Sequence, residues 1–136
     1  EKNKCENGAY VVKLSSHNNR VTLIASGSEV ELALKVHDEL KKNDIESKVV
    51  SMPCQELFDK QSVDYKNEII DKESLVVTIE AGNVSSWKKY TGDRGISLGI
   101  NRFGESAPYK KIYEHLNLSV EKIVLTIQDN LRKKIN

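Results

Sequence analysis

Long apolar runs are missing from this chain of 136 residues. No stretch approaches the roughly 18 to 20 consecutive apolar residues that a membrane-spanning helix needs, which excludes a helical membrane protein. An excess of one charge is missing too. The 21 basic side chains face 20 acidic ones, for a net charge of +1. That balance excludes the electrostatic footprint of a nucleic-acid binder. Arg is scarce, 4 against 17 Lys, which argues further against a bidentate phosphate reader. Cysteine is also scarce. Cys5 and Cys54 cannot build a disulfide framework, so the expectation is a reducing, cytoplasmic setting. The three histidines, His17, His37 and His115, are scattered and give no structural zinc set. Repeats and low-complexity tracts are absent. Residue 1 is Glu, the one Met is Met52, and Glu1 to Asn7 holds no apolar signal core. The expectation is a piece excised from a longer protein, with residues 1–7 as a polar leader or cut linker and 8–136 as the domain.

What is present fits one soluble domain. Hydrophobic residues make up 38% and charged residues 30%, with a mean hydropathy of -0.50. A chain of this length hides roughly two-thirds of its unfolded surface on folding and needs no metal or disulfide to hold a core. Tyr10 to Leu14 is a β-branched run and reads as a strand. Val21 to Ala25 (VTLIA) is almost wholly apolar, the mark of a strand buried on both faces. After Ser26-Gly27-Ser28, the residues Val30, Ala33, Leu34, His37 and Leu40 recur at helical spacing. Ser47 to Met52 is the next strand. Glu56 to Lys60 and Val63 to Ile70 read as short helices, and Leu75 to Ile79 as another buried strand. Val84 to Tyr90 reads as a helical turn and Ile96 to Ile100 as a fifth strand. Ser106-Ala107-Pro108 opens a helix to about His115. Ser119 caps a last helix carrying Val120, Ile123, Val124, Ile127, Leu131 and Ile135. Alternating strands and helices predict an α/β domain with a largely parallel sheet. The link between the first two strands is too short for a crossover helix, so one of them, the first, must run against the others.

Few constellations promise chemistry. Ser26, Gly27 and Ser28 join a buried strand to a helix, where free N–H groups could face a phosphate or carboxylate and Ser28 could cap. Glu29 already brings a negative charge there and would repel a second anion; a simple capped turn is the plainer reading. Glu80 ends a buried strand, where α/β sheets place ligand groups; a cap is its bland alternative. Gly92-Asp93-Arg94 with Asn117 superficially matches the Mg²⁺-holding Gly-Asp-Gly and Asn pair of thiamine-diphosphate enzymes. Arg94 replaces the second Gly and Leu118 the second Asn, so the match reads as coincidence. His37 reads as a packed core or interface residue, and Cys54 as an inert thiol rather than a nucleophile. Trp87 and Tyr90 are either an exposed contact patch or a core-covering pair.

Four motifs then resemble a known family. They are VTLIASGSEVELA from Val21, VVSMPCQELFDKQ from Val49, IEAG from Ile79 followed by Trp87-Lys88-Lys89-Tyr90, and FGESAP from Phe103. In this order they resemble the C-terminal domain of transketolases over about Gly8 to Leu131. Deoxyxylulose-phosphate synthases and the β-subunits of 2-oxo-acid dehydrogenases share that domain with weaker motifs. The polar termini and the Lys41-Lys42 helix end depart from the pattern. The resemblance implies a three-layer α/β/α fold on a five-stranded mixed sheet of order 1-3-2-4-5, strand 1 antiparallel. It implies a parent enzyme that moves a two-carbon ketol unit between sugar phosphates in the pentose phosphate pathway. Thiamine diphosphate and Mg or Ca would be held there by other domains, with no cofactor bound by this one. The partners implied are the preceding domains and the second subunit of a homodimer, with no nucleic acid or membrane. No catalytic residue is implied here; a regulatory ligand at Ser26, Gly27, Ser28 and Glu80 is one expectation. Trp87, Tyr90, Phe103, Gly104, Glu105 and Ser106, on loops expected side by side, are the candidate interface. The alternative is a free-standing small-anion-binding module of the same fold.

Overall fold

A computed structural model describes residues 4–15, 18–80, 84–92, 94–99 and 119–135. Five strands form one sheet: β1 (Tyr10–Leu14), β2 (Val21–Ala25), β3 (Ser47–Ser51), β4 (Leu75–Glu80) and β5 (Ile96–Gly99), in the order β1-β3-β2-β4-β5. Strands β2 to β5 are parallel to one another, and β1 runs antiparallel to β3. The sheet is therefore the mixed one that the resemblance implies.

All five residues of β2 are buried, because β2 lies between β3 and β4 and has helices on both faces. Alternation sorts its side chains between two cores. Val21, Leu23 and Ala25 face α1 (Glu29–Lys42) and the last described helix, α5 (Val120–Ile135). Here Ala33, Val36 and Leu40 meet Ile123, Val124, Ile127 and Leu131. Ile24 faces the other way with Val50 and Val76, toward Phe58, Ile69, Ile70 and Trp87. Those residues come from α2 (Gln55–Asp59), from α3 (Val63–Ile69) and its C-cap Ile70, and from a 3-10 turn at Val84–Trp87 that leads into α4 (Lys88–Thr91).

The first two strands are not a hairpin, because β3 lies between them. The residue after β1 and the one before β2 both bond to the chain entering β3: Ser15 N donates to Ser47 O at 3.0 Å and Arg20 N to Glu46 O at 2.9 Å. Helix α1 ends in a Schellman turn: Ile45 N donates to Leu40 O and Asp44 N to Lys41 O. Asp44 holds the left-handed position at φ 62, where Gly is usual. Upstream of β1, Lys4–Asn7 forms a 3-10 turn, and Gly8 O accepts from Cys54 N at 3.1 Å. The helix expected over 106–115 lies outside the described residues. None of the described helices is long and apolar enough to cross a membrane.

Candidate functional site

The carboxyl ends of β2 and β4 lie side by side, with Ala25 opposite Ile79. This register brings together two of the residues singled out in the sequence: Ser26 Oγ donates to Glu80 Oε1 at 3.1 Å. Gly27 turns the chain at φ 57. Glu29 N then donates to Ser26 O and Val30 N to Gly27 O, both at 3.2 Å. Ser28 does not cap, against expectation. Its backbone is already helical at φ -68, ψ -19, so its hydroxyl cannot reach the free N–H groups of the first turn. It donates instead to Glu29 Oε2 at 3.2 Å. Both hydroxyls of the turn are thus committed to carboxylates. An arriving anion would meet two like charges there, which the few available donors offset poorly.

The other candidates take quieter places. His37 Nδ1 lies 2.8 Å from Ser47 Oγ. The distance is that of a nucleophile and its base. Both residues are buried between α1 and β3, closed to a substrate, so the pair ties a helix to a strand. Burial holds the imidazole below its ordinary range, with Lys13 and Lys41 adding to that and Asp38 opposing it. Cys54 is free and half-buried at the start of α2, which has only five residues. Among the described residues, no group of three or more His, Cys, Asp or Glu side chains could hold a metal ion.

Trp87 takes the core-covering alternative, at 5% exposure. Its ring is 6.1 Å from Tyr90, which lies 5.9 Å from Phe58, itself 6.4 Å from Tyr65. Phe103, Gly104, Glu105 and Ser106 lie outside the described residues, as do Asp93 and Asn117.

The residue that the sequence reading missed is Asp59. One carboxylate oxygen accepts from Tyr90 Oη at 2.8 Å and the other from Lys89 Nζ at 2.7 Å. Partial desolvation pushes Asp59 up. The hydrogen bonds from Lys89 and Tyr90 outweigh it and hold the carboxyl below its usual range. Desolvation and the Asp59 carboxylate push Tyr90 up in turn. Asp59 lies in the FDKQ segment and its two donors in WKKY, so two of the motifs that carried the resemblance form one physical contact.

Comparison with known proteins agrees. A family model described as "Transketolase-like TK C-terminal domain" matches residues 8–119. The chain is 44% identical over 130 residues to the transketolase of Bacillus subtilis, covering 94% of this chain and 20% of that protein. It is 42% identical over 120 residues to the chloroplastic transketolase of Solanum tuberosum, covering 86% and 16%. A crystal structure of transketolase from Campylobacter jejuni superposes with a TM-score of 0.81 at 38% identity, covering 93% of this chain and 19% of that one. The chain thus spans about a fifth of the length of these relatives.

Proposed function

Because the chain belongs to the transketolase C-terminal-domain family, we propose that it serves as the third domain of an enzyme that transfers two-carbon ketol units between sugar phosphates. Its part is non-catalytic: a rigid α/β/α platform for the preceding domains and for the second subunit of a homodimer. The observation that supports this most is one of extent. The match runs over 8–119 of this chain, yet the relatives are about five times longer. Thiamine diphosphate and its divalent cation belong in this reading to the other domains. The free Cys54 suits a reducing, cytoplasmic setting.

The geometry supports the same division of labour. The one hydroxyl–imidazole pair among the described residues is sealed in the core. The turn at Ser26 has its hydroxyls tied to carboxylates. Neither offers a reacting group to a substrate. The test is to produce the chain alone and together with the separately produced preceding domains. The chain alone should transfer no ketol group and give a flat calorimetric titration with thiamine diphosphate and Mg²⁺. Mixing the parts should restore transfer and yield a dimer by sedimentation. Transfer by the chain alone, or full activity and dimerisation of the other domains without it, would overturn the reading.

A further inference from the structure

The segment that leads into β1 is seated on the layer of short helices. The 3-10 turn Lys4–Asn7 packs against α2 and β1. Gly8 O accepts from Cys54 N at 3.1 Å. Ala9 is buried in the core that holds Phe58, and its carbonyl accepts from Tyr65 Oη at 2.8 Å. This seat leaves no room for a side chain at residue 8. A Cβ there would stand 2.3 Å from Phe58 N and 2.4 Å from Cys54 O, and the φ of 86 favours Gly as well. The residue before it is Asn7, the one Asn of the chain that precedes a Gly. Asn7 is exposed, and its side-chain amide bonds to no other described residue.

An Asn-Gly pair carries its own reaction. The Gly backbone nitrogen attacks the side-chain carbonyl carbon of Asn, and with no Cβ on the Gly nothing hinders the approach. A C–N bond forms, the bond to the side-chain nitrogen breaks, and ammonia leaves with the Gly amide proton. A succinimide ring then joins the two residues. Water opens it at either carbonyl, giving aspartate or isoaspartate, with no oxidant or cofactor. The seat opposes the first step. Ring closure needs rotation about the Asn7 Cα–C bond, which swings Gly8, and Gly8 is pinned between Cys54 and Phe58. The reaction therefore waits for the segment to lift off α2, a local opening that costs less than global unfolding. Isoaspartate then routes the main chain through the former side-chain carbon and lengthens it by one atom just before Gly8. Gly8 O and Ala9 O lose their register on Cys54 N and Tyr65 Oη, and the segment cannot reseat.

We propose that Asn7 is a spontaneous deamidation site, gated by the lifting of residues 4–9 from α2, and that its isoaspartate product holds this segment open. The packing that forbids a side chain at residue 8 is what preserves the reactive pair. The inference stands on this segment and does not depend on the role assigned to the domain. The test is incubation of the 136-residue chain in mildly alkaline buffer. Peptide mass spectrometry reads the change from amide to acid, and isoaspartyl methyltransferase labelling reads the isoaspartate. Asn7 should convert faster than any other Asn, yet about tenfold or more slower than in the urea-unfolded chain. Tyr65→Phe keeps the ring and removes one tie, and should speed conversion about threefold or more. Ile123→Val lowers global stability comparably from the opposite core and should leave the rate unchanged. The isolated isoaspartyl chain should lose hydrogen-exchange protection at the Cys54 amide while keeping it along β2. The proposal fails if Asn7 does not convert, if folded and unfolded chains convert alike, or if Tyr65→Phe has no effect. It fails equally if Ile123→Val speeds conversion as much as Tyr65→Phe does, which would make global unfolding the gate, or if the isoaspartyl chain keeps the Cys54 amide protected.

Discussion

Gly8 and Gly27 offer a paired test of how the chain before β1 is held. Both have positive φ, 86 and 57. Alanine at either should cost about 1–2 kcal/mol for left-handed backbone, offset by about 0.4–1 kcal/mol from the stiffer unfolded chain. Their surroundings differ. A Cβ on Gly27 meets nothing within 4 Å. A Cβ on Gly8 would stand 2.3 Å from Phe58 N, 2.4 Å from Cys54 O and 2.9 Å from Phe58 Cα. These are backbone atoms of α2 and of its N-cap, which cannot rotate away. Relief requires the strand and helix to separate, straining the bonds Cys54 N to Gly8 O and Phe58 N to Cys54 O. Each such bond is worth about 0.5–1.5 kcal/mol, and more when a buried group is left unpaired. Gly27→Ala should therefore cost about 1 kcal/mol and Gly8→Ala about 3 kcal/mol or more. Urea melts read both as shifts in midpoint at constant slope. If Gly8→Ala costs no more than Gly27→Ala, the segment before β1 is not seated on α2 and the packing argument is wrong.

Leu23→Ala and Ile24→Ala remove buried side chains from opposite faces of β2, and each should cost about 2–5 kcal/mol in urea; a loss below about 1 kcal/mol from either would mean its face is not a packed core. His37 is held below its ordinary pKa of 6.5, so the unfolded chain takes up its proton first as pH falls. Stability should therefore drop with falling pH from about neutrality through the folded-state value, and His37→Gln should flatten that slope in urea midpoints read at successive pH values. Asp59 is held below its usual range, so its contribution is present above the ordinary carboxylate pKa and disappears as pH falls through the folded one. Asp59→Asn and Tyr90→Phe should each cost about 1 kcal/mol, discounted for exposure, and a double-mutant cycle should show them strongly non-additive; additive costs would dissolve the contact. Asp44→Gly should raise the thermal midpoint, by up to about 1 kcal/mol of stability, because Gly takes the left-handed position without a Cβ penalty; an unchanged or lower midpoint would count against that account.

The parts of this fold legible in the sequence are those that periodicity can specify. VTLIA reads as a strand covered on both faces, and it is the middle of the sheet. Helices α1 and α5, with 14 and 16 residues, bury one long stripe each, and the spacing of Ala33, Val36 and Leu40 or of Ile123, Ile127 and Leu131 reveals it. The other layer is different. Helices α2, α3 and α4 have five, seven and four residues, far below the roughly 12–15 at which an isolated helix is even marginal in water. No stripe can form on so few turns, so specific contacts must hold each piece. Ser62 Oγ caps α3 by accepting from Tyr65 N, Tyr65 Oη reaches Ala9 O, and Asp59 grips Lys89 and Tyr90 from 30 and 31 residues away. Contacts of that kind leave no periodic trace. Asp59 looks like any solvated acid, and the serines around Trp87 suggest a ring presented to a partner. The ring instead turns inward because Trp87 ends a 3-10 turn and lies one helical step from Tyr90, against Phe58. This accounts for where the recognisable motifs fall. MPCQELFDKQ and WKKY lie in the layer whose elements are too short to fold on pattern alone, so identity at single positions does there what amphipathic spacing does under α1 and α5. A family resemblance reads that layer where a period cannot, and the Asp59 cycle measures how much of its stability rests on such contacts.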